Sequence, residues 1–493
     1  MRILDAALDW INDRTGLIDL LKPMATHPVP PDTGWFYVFG SAILVSFGIQ
    51  MVTGVVLATM FVPSSSSAYQ SLDFITNSAT LGSVIRGMHF WGASSMILFI
   101  GAHMIRVFLT GSFKFPREMN WVSGVVLLLL TVGMGFTGQL LRWDQNAVWS
   151  VIVGAEQAGR VPLLGHWLAR LLLAGGTLSS VTLSRFFVLH VFVLPGLIFV
   201  TVGLHLYLVL RHGISEPPVP GRRVAVDDYR SFYERLLERS GVPFWPSAAW
   251  RDALFGLAVL LGVLFLAWWF GPPTLGRIPD PTIIQAQPRP DWYLLWYFAV
   301  LALLPHGAEN YMIVFGPPLA GLVLLLLPFL FPTGERSPRR RPWAVAAVLT
   351  IVLSVAVLWR AGVEAPWSPD FEAQPLSTEV IGASSGPVFE GAALFAKRGC
   401  VYCHSISGDG GRRGPNLTTV GSRLTKRQMI IRILNGGYNM PGYSSILESG
   451  ELEELVRFLQ TRTSERSSEA NLSMHPLVAE RLIDAQHDSI GAE

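Results

Sequence analysis

Charge is scarce in this chain. Only 15% of its 493 residues are Asp, Glu, Lys or Arg, where a soluble domain carries about 25%. The net charge is +2, too small for a protein held to nucleic acid by a basic surface. With 51% hydrophobic residues and 16 Trp, an ordinary soluble domain is excluded as well. Cysteine is scarcer still: Cys400 and Cys403 are the only two, which excludes a disulfide scaffold and leaves one local use for both. No internal repeat is evident. The N-terminal residues MRILDAALDW put acids where a signal peptide has its apolar core, so they read as a mature, amphipathic surface helix.

What the chain does have is long apolar runs. Seven are long enough to cross a bilayer, which takes about 20 residues; they lie near 35–61, 86–109, 119–141, 186–211, 250–270, 311–331 and 343–360. Two shorter pieces, near 161–175 and 292–304, read as non-spanning. The loops after the second, fourth and sixth runs carry Arg106, Lys114 and Arg117, then Arg211 to Arg251, then Arg336 and Arg339 to Arg341. The loop from Phe61 to Ile85 has no Lys or Arg. Cationic loops stay in the cytoplasm, so the N-terminus is expected inside and everything after about residue 362 outside. The expected fold is an all-α integral membrane protein of seven transmembrane helices with a small all-α domain appended. The expected divisions are a surface segment (1–34), a four-helix part (35–215), a three-helix part (216–361), a Pro/Ser-rich acidic linker (362–387), a small helical domain (388–465) and a polar tail (466–493).

Four histidines sit inside two of the runs: His89 and His103 in the second, His190 and His205 in the fourth. At about 1.5 Å per residue, spacings of 14 and 15 separate each pair by roughly 21–22 Å. Each pair also returns to nearly one helix face. Two helices running in parallel would set His89 opposite His190 and His103 opposite His205, and each pair could ligate one haem iron. A single membrane histidine is often a packing or hydrogen-bonding residue. Four costly polar side chains at two matched depths are poorly explained that way. Gly40 and Gly54 in the first run, and Gly124 and Gly138 in the third, repeat at the same 14 residues; a side chain there would collide with a flat macrocycle. Propionates need cations, for which Arg86 and Arg185 lie near the outer level and Arg106 and Arg117 near the inner. The last two are also ordinary positive-inside anchors.

These residues resemble the cytochrome b family of the bc1 and b6f complexes over essentially residues 10–360. The segments IRGMHFWGASSMILFIGAHMIRVFLTGSFKFPREMNWVSG and LSRFFVLHVFVLPGLIFVTVGLHLYLVLRHGIS carry the likeness. They look b6f-like, as does the 15-residue spacing of the second histidine pair. The last three runs resemble subunit IV of b6f, joined here to the four-helix part. Pro290-Asp291-Trp292-Tyr293 is similar to the PEWY motif of the quinol-oxidation site, with Asp for Glu. Quinol oxidation releases two protons, so a carboxylate acceptor is needed there; Pro-Asp would also serve to cap the helix that follows. The resemblance associates the Asp form with menaquinol. Two departures stand out. Arg142, in Leu141-Arg142-Trp143-Asp144-Gln145, replaces the family's usual Pro. Val38 stands where b6f proteins carry the Cys that tethers an extra haem, so no covalent third membrane haem is expected. Lys22, His27, Arg211 and His212 are candidates for the inner quinone site, where quinone reduction needs proton donors, although each is of a kind that commonly faces lipid headgroups.

Cys400-Val401-Tyr402-Cys403-His404 is C-x-x-C-H, the pattern of c-type haem attachment, with His404 as an iron ligand. A redox pair or half a zinc site would use the cysteines alone. Met440, in the turn NGGYNMPGY, is the expected sixth ligand, because a thioether in an irregular loop is poorly explained by packing; Met429, in RQMIIRIL, reads as core. GRRGPNL resembles the cytochrome c segment whose proline carbonyl, here Pro415, orients the proximal histidine. Haem c is attached outside the cytoplasm, in agreement with the charge-derived topology.

The implied protein is the cytochrome b and c subunit of a quinol:cytochrome c oxidoreductase in a bacterial cell membrane, working by a bifurcating, proton-translocating Q cycle. Two haems b, one covalent haem c and quinol follow as cofactors and substrate. With no cysteine/histidine cluster for a 2Fe–2S centre, a separate Rieske protein is expected, with a cytochrome c or terminal oxidase as acceptor, and the resemblance implies a homodimer in membrane lipid. Two readings stay open beside it. A di-haem b anchor of another quinone-linked complex would lack the quinol-oxidation loop, and a transporter with a tethered electron carrier would give the matched histidines no purpose.

Overall fold

The structure is a computed structural model that describes residues 2–463, apart from 177, 280–288, 306–307, 365–375, 412–413, 437–439, 441 and 445. Residues 365–375 of the expected linker and all of the 466–493 tail lie outside the described residues. Among the described residues seven helices are long and apolar enough to span a membrane: Phe39–Ala58, Gly82–Leu109, Glu118–Leu140, Ser180–His212, Ala249–Trp269, Ala308–Leu330 and Pro342–Glu364. Helices are the expected solution, because hydrocarbon offers backbone amides no partner outside the segment. The two ambiguous pieces are short, as expected. The first contains the helix Gly165–Leu173, and the second a 3-10 turn at Trp292–Leu294 followed by the helix Leu295–Leu303. The N-terminal segment forms two helices, Arg2–Thr15 and Leu17–Thr26, broken at Gly16, whose φ of 62° is a left-handed conformation that glycine adopts at little cost.

The spans pack through small seams. Ala42 and Ile49 of the first meet Val259 and Val263 of the fifth. Phe47, Met96, Ile100 and Ile198 join the first, second and fourth. Gly87 lies so close to Ala267 that a side chain there would crowd the fifth span, a close approach of the kind small residues permit between membrane helices. Trp121 of the third span donates its indole N–H to the Leu324 carbonyl of the sixth, at 2.6 Å.

One end of the bundle is tied by its loops. Residues 28–29 pair antiparallel with 242–243, and 223–224 with 334–335. Lys114 donates to the carbonyls of Phe331 and Thr333, at 2.8 and 2.5 Å. The N-terminal segment and the loops after spans two, four and six therefore share one face, the alternation that seven spans require. Buried there is a charged cluster: Arg336 pairs with Glu216, Tyr229 donates to Glu216 at 2.7 Å, and Arg117 donates to Tyr229 at 2.7 Å. At the other end Tyr69 donates to the Gly276 carbonyl, and Ser65 bonds Ser180.

The C-terminal part is a small helical domain. Its helices Pro387–Lys397, Lys426–Asn435 and Ser449–Gln460 enclose a core of Phe395, Ile406, Met429, Leu455 and Phe458 among others. Met429 is 2% exposed, the core residue its helical pattern indicates.

Candidate functional site

The 14- and 15-residue histidine spacings differ by 100° of helix rotation, and the fourth span absorbs the difference. Pro195 has no N–H to give the carbonyl four residues back. The helix widens there into a π turn over Leu189–Val193, in which the Leu194 N–H reaches the Leu189 carbonyl five residues earlier. A π turn takes up one extra residue. His190 and His205 therefore share a face despite the longer spacing.

His89 and His190 face each other with ring centroids 6.2 Å apart. A metal–imidazole bond is about 2 Å long and the ring centre lies about 1 Å beyond the nitrogen, so two imidazoles on one iron have centres roughly 6 Å apart. The pair thus fits a bis-imidazole centre. His103 has His205 and Arg106 as its ionisable neighbours, which makes a second pair at the other depth. All four glycines face these rings. A Cβ would lie 3.8 Å from His103 at Gly40, 3.3 Å from His89 at Gly54, 3.6 Å from His205 at Gly124 and 2.6 Å from His190 at Gly138.

Three hydroxyls bear on the imidazoles, and the sequence reading did not single them out. Thr53 Oγ1 lies 2.9 Å from His89 Nδ1, Thr137 Oγ1 3.1 Å from His190 Nδ1, and Ser123 Oγ 2.9 Å from His205 Nδ1. The signal was present, since each hydroxyl residue immediately precedes one of the glycines.

The expected propionate partners separate in the structure. Arg86 is buried, borders the cavity beside His89, and donates to Thr76 and to the Pro273 carbonyl. Arg106 stacks 3.7 Å from the Tyr37 ring, and its buried Nε and Nη2 have no hydrogen-bond acceptor. Such open donors beside the His103/His205 pair suit an anionic group. Arg117 behaves differently: it donates to Gly213 O, Tyr229 Oη and His212 O at 2.9, 2.7 and 3.0 Å. Its guanidinium is used in holding the loop after the fourth span. Arg185 is exposed and donates to the Leu171 carbonyl at 3.4 Å, away from the cavity.

Asp291 and Tyr293 open into the same cavity as His89 and His190, a space of about 270 Å³ that Gly54, Gly138, Arg86 and Arg142 also line. The loop is held from the segment that follows the third span. Asn146 exchanges two hydrogen bonds with the Arg289 backbone, at 2.7 and 2.8 Å. Asp144 caps the helix Gln145–Gly159 through the Ala147 N–H at 2.8 Å and also accepts from the Gly276 N–H. Trp292 donates to Ser94 at 3.3 Å, and Tyr293 donates to Asp291 at 3.4 Å. Burial holds the Asp291 carboxyl above the usual carboxylate range, opposed by the nearby Arg142 and the Tyr293 hydroxyl. Burial and the adjacent Asp291 push the Tyr293 phenol up as well. Pro290 precedes them, half-buried. Arg142 pairs loosely with Asp144, 3.6 Å away, and its buried Nε has no hydrogen-bond acceptor.

The inner quinone candidates are scattered in character. His27 stacks on Phe244 with centroids 5.3 Å apart, Lys22 and Arg211 are exposed, and His212 lends its carbonyl to Arg117. None of the four lines the cavity beside His89 and His190 or the smaller pocket at Glu216 and Arg336.

In the C-terminal domain His404 Nδ1 donates to the Pro415 carbonyl at 2.8 Å. That bond leaves Nε2 as the ligating nitrogen. Gly414 lies against the same ring, where a Cβ would come within 2.7 Å. Met440 is half-buried against the domain core. Burial pushes the Cys400 thiol up to about 12, the opposite of the stabilised thiolate in a C-x-x-C redox pair. Among the described residues no three His, Cys, Asp or Glu side chains cluster as a metal site.

Comparison with known proteins agrees with this geometry. Residues 24–213 match the family model "Cytochrome b/b6/petB", 279–379 match "Cytochrome b(C-terminal)/b6/petD", and 387–459 match "Cytochrome C oxidase, cbb3-type, subunit III". The cytochrome b6 of Heliobacterium modesticaldum is 42% identical over 212 residues, 43% of this chain and all of that one. The cytochrome b/c1 of Bradyrhizobium diazoefficiens is 31% identical over 368 residues, 73% of this chain and 51% of that one. A solved structure titled "Hyperthermophilic respiratory Complex III" superposes with a TM-score of 0.62 at 25% identity, over 80% of this chain and 96% of that one. The chain therefore belongs to the cytochrome b/b6 family, as a multi-pass membrane cytochrome b continued into a haem c domain and related to the oxidoreductases of complex III.

Proposed function

We propose that this chain is the cytochrome b and c subunit of a quinol:cytochrome c oxidoreductase that oxidises quinol, of the menaquinol class, at its outer face. One observation carries the reading: the buried Asp291 carboxyl and the His89/His190 pair open into one cavity. Quinol oxidation must release two protons and two electrons, and this arrangement sets a proton acceptor beside an electron-acceptor site. The haems supply one-electron redox centres when bound.

His89 with His190, and His103 with His205, would hold two haems b, with Nε2 as the ligating nitrogen where a hydroxyl occupies Nδ1. Gly40, Gly54, Gly124 and Gly138 leave room for the macrocycles, and Arg86 and Arg106 face the propionates. Cys400 and Cys403 attach one haem c, with His404 and Met440 as its iron ligands and Pro415 as the acceptor that orients His404. Asp291 accepts the quinol proton. Tyr293 bonds that carboxylate, Trp292 is anchored on Ser94, and Pro290 stiffens the approach. The quinol's two electrons divide between a separate Rieske 2Fe–2S protein and the b-type pair, with proton translocation and quinone reduction near His27 and His212 on the inner side. The cationic loops set the N-terminus in the cytoplasm and the c domain outside, in a bacterial cell membrane, where the complex works as a homodimer. The divisions at residues 35, 216, 362 and 388 follow the same reading.

Pyridine-haemochrome quantitation on the purified complex tests it, with two haems b and one haem c expected per chain. One haem b, or a second haem c, breaks the assignment. A Rieske protein should co-purify; a complex without one, reducing quinone without dividing electrons, would instead be the di-haem anchor.

A further inference from the structure

Three of the four ring-facing glycines are preceded by a hydroxyl residue (Thr53-Gly54, Ser123-Gly124, Thr137-Gly138), and the fourth by Phe39 (Phe39-Gly40). Each hydroxyl meets a histidine Nδ1 at 2.9 to 3.1 Å. Each also donates to the carbonyl four residues back in its own helix: Thr53 to Ile49 at 2.6 Å, Ser123 to Met119 at 2.9 Å and Thr137 to Gly133 at 2.9 Å. A hydroxyl has one proton to give. With that proton on a carbonyl, the hydroxyl oxygen can only accept from the ring, so Nδ1 carries the hydrogen and Nε2 keeps its lone pair. The backbone of Met134 and of Asn120 serves His190 and His205 as a further hydrogen-bond partner, whereas Thr53 is the partner found for His89.

The four sites are therefore unequal. Both histidines of the His89/His190 pair are held by threonine hydroxyls. In the other pair His205 has Ser123, while Phe39, at the position corresponding to Thr53, turns its ring onto Phe99 and Phe255. No hydroxyl bond to the His103 ring is found among the described residues. A hydrogen bond from the far ring nitrogen raises the basicity of the ligating one. A more basic ligand favours the more positive metal ion, so it lowers the reduction potential, one of the levers a protein has over a haem.

We propose that Thr53, Thr137 and Ser123 are positioning residues that fix the imidazole tautomers, and that the missing hydroxyl at Phe39 makes the His103/His205 centre the easier of the two to reduce. The gradient for electrons leaving the quinol cavity is then written into the residue before each glycine. This rests on the di-haem reading above.

The test is a redox titration of the two b-type α-bands in the purified complex. Thr53→Val is nearly isosteric and should raise the potential of the His89/His190 centre alone. A tenfold change in the reduction equilibrium is read as 59 mV for one electron. Thr53→Ser restores the hydroxyl and should return the wild-type value. Ser123→Ala should raise the other centre alone, and by less, because the Asn120 backbone stays as a partner. Unchanged potentials in Thr53→Val, equal shifts in both centres, or a Thr53→Ser shift as large as that of Thr53→Val would overturn the proposal. A complex that lacks two haems b would refute the functional reading instead, so the two failures are distinguishable.

Discussion

The tightest of the four glycine contacts offers the sharpest perturbation. At Gly138 an added Cβ would lie 2.6 Å from His190 Cε1 and 3.2 Å from Nε2, the first about 0.8 Å inside the 3.4 Å at which ordinary contact begins. Metal–ligand distances hold to about ±0.2 Å, so an imidazole pushed aside by that much cannot keep its bond to an iron shared with His89. The rest of the structure gives it little room. His190 is fixed in a π turn and bonded to Thr137, and overpacking of this kind costs about 1–3 kcal/mol where it is absorbed. Gly138→Ala should therefore lose the His89/His190 haem while keeping the other, leaving one haem b per chain and no quinol oxidation. At Gly40 the same Cβ would stand 3.8 Å from His103, in ordinary contact. Low-temperature difference spectra resolve the two α-bands, and in an Ala series the loss should be greatest at Gly138 and smaller at Gly54, with Gly124 and Gly40, at 3.6 and 3.8 Å, keeping their centre. If Gly138→Ala kept both bands, the imidazole contact would not govern occupancy. Equal loss at all four positions would mean that the macrocycle faces, rather than the rings, set the limit.

Two further outcomes follow from charge. Asp291 accepts a proton only when ionised, so quinol oxidation should fall as pH drops through its pKa, which burial holds above the usual range and Arg142 opposes. Arg142→Gln removes that opposition and should move the acid limb of the pH–rate profile to higher pH. Asp291→Asn should cost about 10²–10⁴-fold in kcat above that pKa, the usual worth of a general base, and should flatten the acid limb; an unmoved limb in Arg142→Gln would refute the coupling. On the opposite face, Arg336 and Glu216 are an almost fully buried pair, 4% and 8% exposed. Arg336→Leu strands the carboxylate and should cost about 3–5 kcal/mol, read as a lower thermal midpoint with new proteolysis in the loops after spans four and six. The double variant Arg336→Leu/Glu216→Gln should recover part of it. A single variant no worse than the double would show that the pair is not the reason for burial.

Much of this protein was legible in its sequence because the physics involved is local or nearly so. Hydrocarbon compels helices, so seven apolar runs give seven spans. A fixed rise per residue turns histidine spacing into depth, and C-x-x-C-H needs no tertiary contact to be read. Even the odd 15-residue spacing has a local cause, since Pro195 cannot complete an α-helical bond. What the chain folds together was not legible in the same way. Arg106 and Arg117 read alike in sequence, yet one keeps open donors beside the second histidine pair and the other is consumed by three loop acceptors. Arg185 lies near the right level but off the cavity. The same holds for Arg142 facing Asp291, for Glu216 meeting Arg336 across 120 residues, and for the three hydroxyls on the histidine rings. The sequence by itself determined the membrane helices, the depths of the histidines and the c-type motif, because those depend on periodicity and composition. Only the tertiary structure decided which cation remained free, which proton each imidazole holds and which carboxylate shares a cavity with the histidines, because those depend on where side chains from distant segments run out of other partners.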